Sequence, residues 1–277
     1  MIEKRLAQIV SRHSKVIPPL NIRQNFRRRL EQYNTAYPDL DLTVVIPVFN
    51  CQDLVVETLE SVYKMRNIRF NVLLIDDGST DNTLALCKDF AGKNKNCHVF
   101  QQGNKGAGRA RNSLIPLCTG RYTFFLDADD TIDAPALENA VREATDSESD
   151  LYFLKYQINF HEEHRTREMF DADKKLWEKF KEARTNTELR AIAAGLINYP
   201  WNRIISTDLL HDENIFFGPT VVHNDIPFHW HSIVVAKKIG YSDLSVCTHR
   251  KFETRAQITN INDRRRLMVF EALRVTQ

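Results

Sequence analysis

The sequence predicts an α/β fold built on a doubly wound, mostly parallel sheet, and three observations predict it. Four short runs, LTVVIPVF (42–49), NVLLID (71–76), HVFQQ (98–102) and RYTFFLD (121–127), are rich in β-branched and aromatic residues. The first two lack polar alternation, as expected of strands covered on both faces. Segments of helical spacing lie between the runs, and the connections are short, which favours parallel strands joined by helical crossovers. At 277 residues the chain is long enough for one large domain or two small ones.

The elements follow in order. Residues 1–40 read as a basic helical arm with eight Lys/Arg against three acids, and Tyr-Pro-Asp at 37–39 separates it from the first strand. One reading of the arm is a solvated helical face. The other is attraction to a partner or an anionic membrane surface, where each basic residue gains on the order of 1 kcal/mol. Over 53–63, Leu54, Val55, Thr58, Leu59 and Val62 have the spacing of an amphipathic helix. After NVLLID, the stretch DGSTDNTLALCKDFA gives a turn and a helix, with Ser79 or Thr80 as the expected N-cap. A glycine loop and a helix from about Arg109 to Leu117 follow HVFQQ, and RYTFFLD is the fourth strand. Beyond it come a helix over 135–145, the strand LYFLKYQI (151–158), a charged segment, a helix over 187–196, and YPWNRII (199–205). The final stretch, NDRRRLMVFEALRVTQ, is helical in period and lacks a stop signal, so the natural chain is expected to continue.

Composition excludes several classes. No apolar run approaches the roughly 20 residues that span a bilayer, and the charged N-terminus lacks the apolar core of a secretion signal. Five scattered cysteines without a CxxC pair read as reduced, mostly buried thiols of a cytoplasmic protein. A net charge of +2 argues against a nucleic-acid partner. His161, Glu162, Glu163 and His164 resemble metal ligands only superficially, because the order is not HExxH.

The fourth strand ends in DADD, three carboxylates in four positions: Asp127, Asp129 and Asp130. Like charges this close repel unless a cation compensates them. Mg²⁺ or Mn²⁺ favours carboxylate oxygens and keeps positions for phosphate oxygens, so a strand-end D-x-D suggests a metal bridging protein and diphosphate. The plainer alternative is an Asp-rich turn in which Asp130, Thr131 or Asp133 caps the next helix. Ligands of doubly wound sheets bind at the carboxyl ends of the strands, which places Asn50, Asp76, Asp77 and 127–130 along one rim.

VVIPVFNCQDLVVETLESV, LLIDDGSTDNT, GNKGAGRARN and RYTFFLDADD, in that order, resemble the family 2 glycosyltransferases, whose nucleotide-sugar-binding fold is called GT-A. The resemblance covers residues 42–135 strongly and reaches about 260 more weakly. It implies that Pro47, Phe49 and Asn50 line the nucleotide-base pocket, with Asp76 accepting hydrogen bonds from a base that is commonly uracil. Asp77 begins the DGS turn, where Gly78 permits the reversal. Arg109 would neutralise a phosphate or hold the rim, while Lys105 and Arg111 are open between that role and a surface or structural ion pair. Asp127, with Ala128 beside it, would contact the donor at the ribose or the metal's hydration shell. Asp129 would ligate the metal, and Asp130 is structural.

In the second half, VVHNDIPFHWHSIV (221–234) resembles the family's Glu-Asp pair at the start of a helix, which places Asp225 as catalytic base and Asn224 where Glu is commoner. The alternative is that Asn224 and Asp225 cap a helix from Ile226. YPWNRII resembles an acceptor-side segment in which Trp201 stacks on a sugar or lies in the core. His249 is a candidate third metal ligand or a core histidine, and Arg250 or Arg255 a candidate pyrophosphate clamp. The expected division is a basic arm (1–40), a nucleotide-sugar-binding half (41–135), an acceptor-binding and catalytic half (136–260) and a C-terminal helix (261–277). The resemblance thus implies an inverting, Mn²⁺- or Mg²⁺-dependent transferase acting from a nucleotide-sugar donor, with UDP expected, onto a glycan or lipid-linked acceptor. Bacterial surface polysaccharide synthesis is the expected setting, in the cytoplasm with peripheral membrane contact through the arm. The rivals are a non-catalytic nucleotide-sugar-binding scaffold and a nucleotidyltransferase, the latter disfavoured because PVFNCQD follows the first strand where a Gly-rich loop would stand.

Overall fold

The computed structural model describes residues 39–253 and 263–274. The N-terminal arm through residue 38, Arg255 and the last three residues therefore lie outside the described residues, as does any membrane contact through the arm.

Among the described residues nine strands form one sheet: β1 (Leu42–Val48), β2 (Phe70–Asp76), β3 (Cys97–Gln101), β4 (Tyr122–Phe125), β5 (Thr131–Ile132), β6 (Leu151–Phe160), β7 (Arg165–Glu168), β8 (Arg203–Ser206) and β9 (Ile239–Lys251). Their order is β3-β2-β1-β4-β8-β6-β9-β5, with β7 paired to β6. The first four are mutually parallel and joined by α1 (Val55–Val62), α2 (Thr83–Lys93) and α3 (Ala107–Leu114). Every residue of β1 is buried, as its unbroken apolar run predicts for a strand covered on both faces. The short β8 runs antiparallel between β4 and β6, while β6 and β9 pair in parallel over ten residues. The two halves of the chain thus share one sheet and one core.

One pairing brings the site together. After DADD the chain forms only two strand residues, and these pair with β9: Thr131 opposite Thr248 and Ile132 opposite Cys247. This draws the carboxylates toward His249. Asp133 then accepts from the backbone N–H of Ala136 at 2.9 Å and caps α4 (Ala134–Asp146). The cap is therefore Asp133, and Asp127, Asp129 and Asp130 are left for other work.

The structure fills in several local segments, finds the helix expected over 187–196, and corrects one cap. The charged segment after β6 is a hairpin, β6–β7, followed by α5 (Asp171–Glu182), whose Trp177 and Phe180 are buried. His161 to His164 sit exposed around the hairpin turn. A further helix, α6 (Asn186–Ala194), begins with a capping box of Thr185 and Glu188. Neither Ser79 nor Thr80 caps α2, which starts at Thr83, because both are engaged at the end of β1. The remaining helices are α7 (Thr207–Asp212), α8 (Asp225–Val235) and α9 (Val269–Arg274). All five cysteines are buried, and burial pushes the thiols of Cys87, Cys97 and Cys118 up to about 12, which suits packing rather than nucleophilic chemistry. No helix among the described residues is long and apolar enough to cross a membrane.

Candidate active site

The carboxyl ends of β1 and β2 form one wall, with Val48 in register with Asp76. Asp76 is fully buried, and its Oδ2 accepts from the backbone N–H groups of Gly78 and Ser79 at 3.2 Å. Its Oδ1 is buried without a hydrogen-bond partner. An unpaired buried acceptor is costly, so this oxygen suits a ligand N–H. Pro47 is buried in β1, and Phe49, just beyond, is 45% exposed. Asn50 takes a φ of 45°; its Oδ1 accepts from the Thr80 N–H at 2.8 Å, and its own N–H donates to Ser79 Oγ at 3.0 Å. Asn50 thus braces the DGST turn.

Asp77 does more than begin that turn. Its Oδ1 accepts from the Lys105 N–H (2.9 Å) and from Gln102 Nε2 (2.7 Å), and its Oδ2 from the Gly106 N–H (2.7 Å). It therefore holds the glycine loop against the rim. Gly78 has φ 80°, and a Cβ there would lie 2.9 Å from the Asn104 nitrogen, so conformation and space both require glycine.

Ligand atoms of Asp127, Asp129 and Asp130 lie within 4.8 Å of one another. Asp127 and Asp129 are half-buried, whereas Asp130 is fully buried behind them. Asp130 Oδ1 accepts from the Arg250 N–H at 2.9 Å and lies 3.0 Å from His249 Nδ1. Burial pushes the Asp130 carboxyl up, against the pull of His249. On His249, burial pulls the imidazole down, but Asp130, then Asp129 and Asp127, raise it by more. His249 Nε2 is buried without a partner among the described residues. A carboxylate behind one ring nitrogen with the other unpaired is the usual setting of a metal-bound histidine. The donor set of clustered carboxylates and one imidazole fits a divalent cation such as Mg²⁺ or Mn²⁺. Ala128 is buried and its carbonyl accepts from Thr58 Oγ1 at 2.8 Å, which anchors the loop between Asp127 and Asp129.

Arg250 is engaged within the fold. Its Nη1 pairs with Glu57, its Nε donates to the Asp129 carbonyl, and its Nη2 donates to Thr58 Oγ1 at 3.2 Å. It is a clamp from β9 onto α1 and the DADD loop.

The second wall comes from α3 and the start of α8. Residues on a helix advance 100° each, so Arg109 and Arg111 point to nearly opposite sides. The structure turns Arg111 inward and leaves Arg109 exposed. Arg111 Nη2 pairs with Asp127 Oδ1, its Nη1 donates to Asn224 Oδ1 at 3.2 Å, and its guanidinium lies 4.9 Å from the Phe217 ring centroid. Arg111, rather than Arg109, is therefore the arginine of α3 held against the carboxylate cluster. Gly108, on the same face, permits the contact: a Cβ there would lie 2.7 Å from the Gly218 carbonyl oxygen and 2.8 Å from Asn224 Cβ.

Asn224 occupies the N-cap position of α8, but its side chain makes no capping bond and serves Arg111 instead. Asp225 is the first helical residue and half-buried. Burial pushes its carboxyl up to about 6, with Asp127 adding to the push and its own N–H, Arg111 and Arg203 opposing it. Trp201 is completely buried, its ring packed among Tyr156, Tyr199 and His249, so it presents no face to a sugar. The half-buried ring is Tyr199, two residues earlier. Its centroid is 5.2 Å from that of His249, and burial together with the charges of Asp130, Asp225 and Asp127 pushes its phenol up. Sequence reasoning missed Tyr199: Tyr199 and Trp201 stand two apart around a short helical turn, Pro200–Asn202, and no periodicity distinguishes their burial.

Comparison with known proteins agrees with this layout. Residues 43–210, more than half of the chain, match the family model described as Glycosyl transferase family 2. An uncharacterized glycosyltransferase of Escherichia coli (strain K12), YibD, is 26% identical over 210 residues, covering 74% of this chain and 60% of that protein. Chondroitin synthase of Escherichia coli is 34% identical over 97 residues, 35% of this chain and 14% of that one. The chain thus spans less than two thirds of the length of these relatives. The crystal structure of S. aureus TarS 1–349 in complex with UDP-GlcNAc superposes with a TM-score of 0.66 at 25% identity, covering 80% of this chain and 61% of that one. The mixed α/β architecture with its curled, mostly parallel sheet is accordingly GT-A. With the family model spanning β1 to α7 and the same order of motifs lining one rim, the chain belongs to the family 2 glycosyltransferases.

Proposed function

We propose that the protein is an inverting, metal-dependent glycosyltransferase that moves a sugar from a UDP-sugar to a hydroxyl of a glycan or lipid-linked acceptor. One observation carries the reading: Arg111 joins Asp127 of the carboxylate cluster to Asn224, whose neighbour Asp225 heads α8. A leaving-group site and a base are thereby held side by side. UDP-GlcNAc in the TarS complex supports a uridine diphosphate donor, and the likeness to chondroitin synthase supports polysaccharide synthesis.

Asp76 Oδ1 would accept an N–H of the base, and the loop held by Asp77 would lie along the nucleotide. Asp129, Asp127 and His249 would hold a divalent cation, which when bound supplies positive charge to the departing diphosphate. Asp225 takes the proton of the acceptor hydroxyl. The acceptor oxygen then bonds to the anomeric carbon as the bond to the diphosphate oxygen breaks, and attack from the opposite face inverts the configuration. Tyr199 flanks the cluster on the acceptor side.

The test is a panel of nucleotide sugars with Mn²⁺ or Mg²⁺, read by thermal shift and by nucleotide release. A true donor at a hundredfold excess over its Kd should stabilise the fold by about 2.7 kcal/mol, and only with the metal. If no nucleotide sugar raises the melting temperature, the reading fails. The membrane contact of the basic arm belongs to the same proposal. Removing residues 1–38 should reduce co-sedimentation with anionic vesicles at low salt, and unchanged binding would discard that part.

A further inference from the structure

Arg203, on β8, is 1% exposed, yet among the described residues no carboxylate reaches ion-pair distance of it. Its Nε donates to Asn202 Oδ1 (2.8 Å), its Nη2 to His229 Nδ1 (2.7 Å), and its Nη1 lies 3.5 Å from Ser232 Oγ. The guanidinium rests over the Phe153 ring at 4.7 Å. Burial and the charge of Arg203 hold His229 down at about 2, so it is neutral: Nδ1 accepts from Arg203, while Nε2–H faces the Ala194 carbonyl at 3.4 Å. A buried cation without a counter-charge is costly, and apolar residues fill such sites better. Packing alone gives no reason for it.

His229 stands four residues after Asp225 on α8, and side chains at that spacing share a helix face. The guanidinium bound to His229 therefore lies beneath the face whose first turn carries Asp225. Burial pulls Arg203 down to about 9, and the one charge that pulls back is that of Asp225. Among the described residues, the charged and titratable groups that face Asp225 are Arg111 from α3, Asp127 after β4, Arg203 from β8 and the phenol of Tyr199. Arg111 pulls on Asp225 more strongly than Arg203 does, but it is shared with Asp127. Arg203 pairs with no carboxylate among the described residues.

We propose that Arg203 is a positioning residue for Asp225, a buried, unpaired cation set one helical turn beneath the carboxylate to keep it ionised at neutral pH. The proposal rests on the reading of Asp225 as the base. It gives a role to the last polar residue of PWNR that packing does not.

The experiment is a carbon-13 NMR titration of the full chain labelled at aspartate carboxyls, with the Asp225 signal identified by its loss in Asp225→Asn. Removing a cation near a carboxylate raises its pKa, so in Arg203→Met the Asp225 midpoint should rise. Arg203→Lys, which keeps the charge, should restore most of it. Arg203→Met removes the buried charge but also leaves Asn202 Oδ1 and His229 Nδ1 without a donor, so a lower melting temperature is expected; Arg203→Gln still carries an N–H donor and serves if the Met variant does not fold. A purely structural role predicts lower melting temperatures with an unmoved midpoint, and that result in a folded Met or Gln variant overturns the proposal. The pH profile of UDP release from UDP-GlcNAc separates the layers. If the NMR midpoint moves and the acidic limb of turnover stays, Asp225 is not the base, and the functional half of the proposal falls with that reading.

Discussion

Asp225→Asn should lower sugar transfer by about 10²–10⁴-fold, the usual loss for a general base, while donor affinity and folding stay close to wild type. A base acts only after both substrates are in place, so the loss belongs in turnover rather than in donor binding. The structure makes this substitution cleaner than the sequence suggested. Asn224, not Asp225, holds the N-cap position, so Asn at 225 replaces no N-cap residue. What is lost is the attraction of an anion to the helix N-terminus, about 0.3–1 kcal/mol. The carboxyl at about 6 also sets the direction of pH dependence: wild-type turnover should fall as pH drops through about 6, where Asp225 takes up a proton and can no longer accept one. Kinetics at fixed donor saturation, with a melting curve of the variant, check both points. Near-wild-type transfer would move the base elsewhere, with Asp243 and Glu253 next. Asp243 is the weaker of these, since it is already paired with Lys155 at 2.8 Å.

Asp129→Ala should abolish metal-dependent donor binding and leave the fold intact. Asp129 is half-buried, so truncation opens no core cavity. Asp130 gives the contrast. It is fully buried and bonded to the Arg250 N–H and His249, so Asp130→Ala should destabilise by roughly 1–3 kcal/mol through unsatisfied partners. In Asp129→Ala the Mn²⁺-dependent gain of about 2.7 kcal/mol at a hundredfold donor excess should disappear, with the apo melting temperature unchanged. Isothermal titration of Mn²⁺ and UDP-GlcNAc into both variants reads this directly. Unaltered metal dependence in Asp129→Ala would remove the metal from this loop.

Much of this was legible in the chain itself. The unbroken apolar runs of β1 and β2 identified strands covered on both faces, and the carboxyl-end rule then placed Asn50, Asp76, Asp77 and DADD on one rim. Less was legible where a choice depended on which way a side chain turns. Arg109 and Arg111 are chemically alike and two residues apart. The periodicity of Gly108, Arg111 and Leu114 could have shown which faces inward, because those positions share a helix face. Trp201 and Tyr199 differ only in which is buried, and that depends on neighbours from β6 and β9.

The sequence by itself determined the element order, the buried strands, the rim on which a ligand would lie and the carboxylates that would meet it. These follow from local periodicity and from the rule that parallel strands end together at one edge. Only the tertiary structure decided that Asp133 rather than the DADD tetrad caps α4, that β5 pairs with β9 and carries Asp130 to His249, and that Arg111 bridges Asp127 to Asn224. It also decided that Arg203 lies unpaired beneath α8. The partners in these contacts between side chains are 16 to 119 residues apart. Their encounter depends on how the sheet closes, and no local pattern encodes that.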